Sequence, residues 1–90
     1  MPEYKLEFEN ERVRVSRVTY DAGEKSVWHS HAQYIAIFLT EAHIELTYPD
    51  GQTETRDLPP GAVNWFERTV HQIKNAGTKP FEVVLIELMA

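Results

Sequence analysis

In the stretch AHIELTY, Ala42, Ile44, Leu46 and Tyr48 alternate with His43, Glu45 and Thr47. An apolar residue at every second position fits a half-buried β-strand and rules out an amphipathic helix, which needs a period of 3.6. The same period recurs elsewhere. RVRVSRVTY starts with Val13 and Val15 on one face, then changes phase to Val18 and Tyr20 on the other, as a bulge or a strand covered on both sides requires. FEVVLIELM is apolar on nearly both faces, so it is a strand buried between two layers or one at a subunit interface. In YPDGQ, Pro49 presets φ, Asp50 caps the turn and Gly51 takes φ > 0, which makes a hairpin. LPPG and NAGTKP are further breaks. The spacing predicts strands near 4–9, 11–20, 26–31, 33–40, 43–49, 52–58, 62–67, 70–75 and 81–89. Short strands at near-regular intervals with almost no helix mean an all-β sandwich or barrel.

Ninety residues make one domain, residues 1–90, with no linker or repeat. So short a chain buries roughly 60–65% of its unfolded surface, and a second subunit would enlarge its modest core. A net charge of −5 argues against nucleic acid and anionic membrane, both of which need a basic face. With no cysteine, neither a disulfide framework nor a thiolate metal site can form. MPEYKLEFENERVRV has no apolar signal core and no window approaches the length of a membrane span, so the cytoplasm is the expected compartment.

The chemistry concentrates in four histidines. On an extended chain His29, His31 and Gln33 share one face, with Ser30 and Ala32 on the other. His71 follows beyond the PDG hairpin, in ERTVHQIKN, and a closed β-fold could return it to the first pair. Three converging neutral imidazoles suit Fe, Ni, Cu or Zn. The alternative is that HSH is a chance pair, solvated or satisfied in a core. His43 alternates with Ile44 and is expected at the surface. No residue reads as a positioned nucleophile, so any chemistry would be the metal's.

The surroundings of these histidines resemble a known pattern. Gly23, five residues, His29, one residue and His31 are similar to the opening of the first cupin motif. Gly61, Trp65, His71 and, three residues on, Asn75 resemble the second. The likeness runs from about Val13 to Leu88 and is closest to the short single-domain cupins. It implies an antiparallel jelly-roll β-barrel, usually dimeric, with one metal near the barrel axis. It also implies His29, His31 and His71 as ligands. The glutamate of the first motif falls at Ile35, and its second glycine at Ala42. Glu67 and Thr69 replace the proline and glycine of the second motif. If Ile35 fills the glutamate's slot, it points towards the metal.

A three-histidine site leaves a divalent ion its full charge and open positions, and favours an anionic or bidentate oxygen ligand. Gln33 could offer an amide oxygen or form part of a pocket wall, and Glu67 could swing in or stay a solvated loop carboxylate. Trp65, with Trp28 or Tyr34, would narrow the mouth of a small apolar pocket, although aromatics in a barrel this small are also simply core. Asn75 reads as a turn-bonding residue. The chain is therefore expected to be a homodimeric metal cupin. Whether it is a dioxygenase-like enzyme on a small oxygen-bearing or carboxylate substrate, or a non-enzymatic sensor or accessory binder of metal or a small ligand, the sequence leaves open.

Overall fold

The computed structural model describes residues 2–30, 32–68 and 70–89, with backbone alone at 29 and 30. Nine strands follow in chain order: β1 (Glu3–Glu9), β2 (Val13–Tyr20), β3 (His29–Ser30), β4 (Tyr34–Phe38), β5 (Ala42–Thr47), β6 (Thr53–Leu58), β7 (Val63–Phe66), β8 (Val70–Asn75) and β9 (Phe81–Leu88). They pair into a five-stranded sheet, β1-β2-β9-β4-β7, and a four-stranded sheet, β3-β8-β5-β6. Every strand pairing is antiparallel. The result is an all-β jelly roll. No helix among the described residues is long and apolar enough to cross a membrane.

Alternation decides which side chains fill the space between the sheets. Val18 and Tyr20 from β2, Tyr34, Ala36 and Phe38 from β4, and Phe81 and Val83 from β9 face Ala42, Ile44 and Leu46 from β5. Tyr20 and Phe81 stack with ring centroids 4.8 Å apart, which anchors the end of the core away from the histidines. An apolar cleft of about 20 Å³ remains beside Tyr4, Tyr20 and Tyr34, room for about one water and no organic ligand.

Of the two devices that the sequence allows, cover on both faces explains the phase change in RVRVSRVTY, since β2 runs against β9 in unbroken register. Val15, Ser16, Val18 and Tyr20 are all buried, so β2 is covered on both faces around its middle. The bulge lies on its neighbour, where Leu6 pairs with Ser16 and Phe8 with Val15, leaving Glu7 as the extra residue. The hairpin forms as its residues dictate. Gly51 N–H donates to the Tyr48 carbonyl at 2.9 Å, Gly51 has φ 87°, and the Asp50 side chain accepts from Gln52 N–H at 2.9 Å.

Candidate metal centre

β3 is shorter than the strand expected over 26–31, because a side chain interrupts its ladder. Ser26 N–H donates to the Ile73 carbonyl, but the Ile73 N–H donates to Ser26 Oγ, at 3.0 Å. Upstream, Gly23 N–H donates to the Asn75 carbonyl and Asn75 N–H to the Glu24 carbonyl, both at 2.9 Å. The segment from Gly23 therefore runs along β8 and sets His29 directly opposite His71. Directly opposite positions in an antiparallel pair share a sheet face. On that face of β8, His71 and Asn75 are buried and Ile73 packs against the core.

His71 is 1% exposed. Its Nε2 lies 3.2 Å from the Tyr34 hydroxyl, and its ring stands edge-on to Tyr34 and Phe66, which stack on each other at 4.9 Å. Burial first, then the charges of Tyr4 and Glu87, push the Tyr34 phenol up, so it stays protonated; its oxygen can accept from Nε2–H, the tautomer that keeps the Nδ1 lone pair of a neutral ring for a metal. Beyond Phe66, the Arg56 guanidinium sits 5.0 Å above the ring while its Nε donates to Glu54 at 2.6 Å.

The side chain of His29, and all of His31 and Thr69, lie outside the described residues. Among the described residues no group of three or more His, Asp or Glu is arranged to hold a metal. What is described fits a borderline divalent ion. Neutral imidazole is the ligating form, enclosure by aromatic rings suits that form, and the register brings position 29 to position 71.

Several residues expected around the metal stand elsewhere. Ile35 alternates with buried Tyr34 and Ala36 and pairs with Ile86 and Trp65 on the outer face of the five-stranded sheet. It does not point into the interior. Trp65 shares that outer face, half exposed, while its neighbour Phe66 turns inward. Trp28 is also half exposed. Gln33 is exposed, and its Nε2 donates to Glu67 at 2.8 Å, the same carboxylate that accepts from Trp65 Nε1 at 2.9 Å. Those two bonds, Trp65's the larger effect, hold the Glu67 carboxyl below its usual range. Of the five expected lining residues, Tyr34 is the one seen against a histidine among the described residues.

The reason is a reset of parity. Counting His29, His31, Gln33 and Ile35 onto one face assumes one continuous strand. The chain bends at Ala32 and Gln33 and crosses from β3 in one sheet to β4 in the other. After that bend the inward positions are 34, 36 and 38.

His43 is at the surface as expected, between Asp57 on its Nδ1 at 2.6 Å and Glu41 on its Nε2 at 2.8 Å. The two ring nitrogens diverge, so no single ion can take all three groups. Asn75 bonds a turn: its Nδ2 donates to the Tyr20 and Lys79 carbonyls, and its Oδ1 accepts from Gly77 N–H. One inward titratable residue escaped the sequence reading. Glu87 follows Phe81, Val83 and Leu85 at the same parity on β9 and lies directly opposite Tyr34. The signal was available, since a carboxylate at the end of an inward apolar series needs a cation or water.

A jelly roll carrying a buried histidine opposite an HxH strand defines a class of small β-proteins, and the comparisons place it. The cupin domain family matches residues 16–87, and the chain belongs to that family. A crystal structure of a cupin domain from Bordetella pertussis Tohama I is 27% identical, with a TM-score of 0.90 over 99% of this chain and 94% of that one. A double-stranded β-helix protein from Klebsiella pneumoniae is 20% identical, with a TM-score of 0.80 over 98% of this chain and 76% of that one. A cupin superfamily protein from Desulfitobacterium hafniense is 18% identical, with a TM-score of 0.76 over 100% of this chain and 79% of that one. No match was found among curated proteins.

Proposed function

We propose that this cupin binds one divalent transition metal, Fe, Ni, Zn or Cu, through His29, His31 and His71, and that the metal receives a small oxygen-bearing or carboxylate molecule. The carrying observation is the register His29↔His71, with the His71 ring enclosed by Tyr34 and Phe66. His29 and His31 would approach from the segment beside β8, and His71 from β8 itself. When bound, the metal supplies a Lewis acid and open coordination positions. The chain's own part is to fix the imidazoles, keep bulk water from His71 and present the protonated Tyr34 hydroxyl beside it. The open positions support a dioxygenase-like enzyme as one reading. The second is a non-enzymatic binder, and it draws on the burial of His71, which narrows access to small ligands.

Metal analysis of the purified chain tests the proposal. The wild type should carry about one metal per chain. His29→Ala, His31→Ala and His71→Ala should each lose most of it, and His43→Ala should keep it. Affinity should fall as pH drops below about 6.5, since protonated imidazole cannot ligate. Unchanged metal content in His71→Ala would remove the third ligand and the proposal with it.

A further inference from the structure

Large and small side chains alternate along the inner face of β4, in the order Tyr34, Ala36 and Phe38. Ala36 lies directly opposite Leu85 of β9, and Phe38 opposite Val83. The single methyl of Ala36 leaves space that a larger side chain would fill. That space is the cleft of about 20 Å³, which Ala36, Val83 and Leu85 line together with Tyr34 and Tyr4. Among its described lining residues Tyr4 alone is exposed, because it stands on the edge strand β1. Solvent and small solutes therefore reach the cleft on the side of Tyr4. Tyr34 both lines the cleft and sets its hydroxyl 3.2 Å from His71 Nε2.

Volume and chemistry select the occupant. The cleft is too small for an organic ligand. A water held in a cavity needs roughly two to four polar partners. Here the walls are aliphatic side chains and ring faces, and the polar tips of the tyrosines are engaged elsewhere. The Tyr34 hydroxyl lies on His71, and that of Tyr20 interacts with the Tyr4 and Ser26 side chains. A void walled in this way stays dry and takes up small apolar solutes. Dioxygen is little larger than water, requires no hydrogen bond and partitions into apolar surroundings.

We propose that the cleft beside Tyr34 is a binding site for an apolar diatomic gas, with dioxygen as its occupant. The site stands apart from the three-histidine reading, since no metal is needed to fill it. Beside that reading it places a store of gas one aromatic ring away from His71, on a path separate from that of a polar ligand.

Methyl NMR of the full chain, metal-free or loaded with diamagnetic Zn(II), under dioxygen and under nitrogen at equal pressure tests it. Paramagnetic relaxation from dioxygen should be about threefold or more stronger at the methyls of Ala36, Val83 and Leu85 than at those of Ala42 and Ile44, which are as deeply buried as Ala36 but do not line the cleft. Ala36→Val should fill the space and bring Val83 and Leu85 down to the level of Ala42. Should that variant fail to fold, Val83→Ile fills the cleft from the neighbouring strand and should lower the effect at Ala36 and Leu85. Equal relaxation at lining and control methyls in the wild type would overturn the inference. So would an effect that persists unchanged in the filled variants, or a long-lived water seen from the Ala36 methyl in place of a dioxygen effect. None of these outcomes bears on metal content, so a failure here is distinguishable from a failure of the three-histidine reading.

Discussion

His43 stabilises the fold through its protonated form. Hydrogen bonds to Asp57 first, then Glu41, raise its pKa above the usual imidazole value. A raised folded-state pKa contributes stability that is fully present below the unfolded value of about 6.5 and is lost as pH rises through the folded one. His43→Asn should therefore lower Tm more at pH 5.5 than at pH 9, where wild type and variant should nearly converge. Equal Tm differences at both pH values would show that the ring acts by packing alone. The ring does pack closely. A Cβ on Gly77 would meet His43 Cδ2 at 3.2 Å, so the turn after β8 leaves room only for glycine unless that side chain gives way. The exposure of His43 was legible from its alternation with Ile44. Its two carboxylate partners were not, because Asp57 reaches it only through the register of β5 against β6.

At the scale of elements, the pairing of the segment from Gly23 with β8 decides whether position 29 meets position 71, and Ser26 is its fastener. Its buried Oγ accepts the Ile73 N–H at 3.0 Å and donates to the Val27 carbonyl at 3.0 Å. Ser26→Ala leaves a partly buried N–H without its acceptor, a cost of about 1–3 kcal/mol. The variant should melt at lower denaturant concentration and also load less metal, though residue 26 ligates nothing. Lower stability with undiminished loading would mean that the His29↔His71 register holds without Ser26. The sequence reached these elements well, because period-two alternation and the Pro and Gly breaks are local signals. All nine strands fall where expected, with boundaries moved by a few residues. The positive φ of Gly23 and Gly61, 80° and 83°, gives a physical reason for glycine at both motif positions. Face parity failed only at Ala32 and Gln33, where the chain changes sheets. Nothing local records that change, and Ile35 was assigned to the wrong side as a consequence.

For the whole molecule, the outer face of the five-stranded sheet is the surface that carries exposed apolar side chains. Phe8, Val15, Ile86, Ile35 and Trp65 form one row across it, and Val84, Ile37 and Val63 form the next. Phe8 is 55% exposed, Trp65 46% and Val63 65%, so the apolar strip is open at β1 and β7, while Val15 between them is covered at 8%. Polar groups rim it: Arg17, bonded to Glu82 at 2.6 Å, on one side, and the Gln33–Glu67–Trp65 cluster on the other. An apolar centre inside a polar rim is the anatomy of an interface, and a face of this kind packs well on its own copy under twofold symmetry. A stable dimer needs about 800 Å² per partner, a modest share of the chain's 5492 Å². We propose that the chain dimerises here, which also answers why FEVVLIELM is apolar on both faces: one face serves the core and the other the second subunit. Ile35→Glu should then place a carboxylate from each copy in the desolvated centre, at a cost of several kcal/mol to association. Sedimentation should find the wild type dimeric at micromolar concentration and the variant monomeric. Metal content should be unchanged, and added Fe(II), Ni(II) or Zn(II) should give the variant no extra rescue over wild type, because residue 35 faces away from His71. A monomeric wild type at high micromolar concentration would refute the dimer, and a metal-dependent rescue would return Ile35 to the interior.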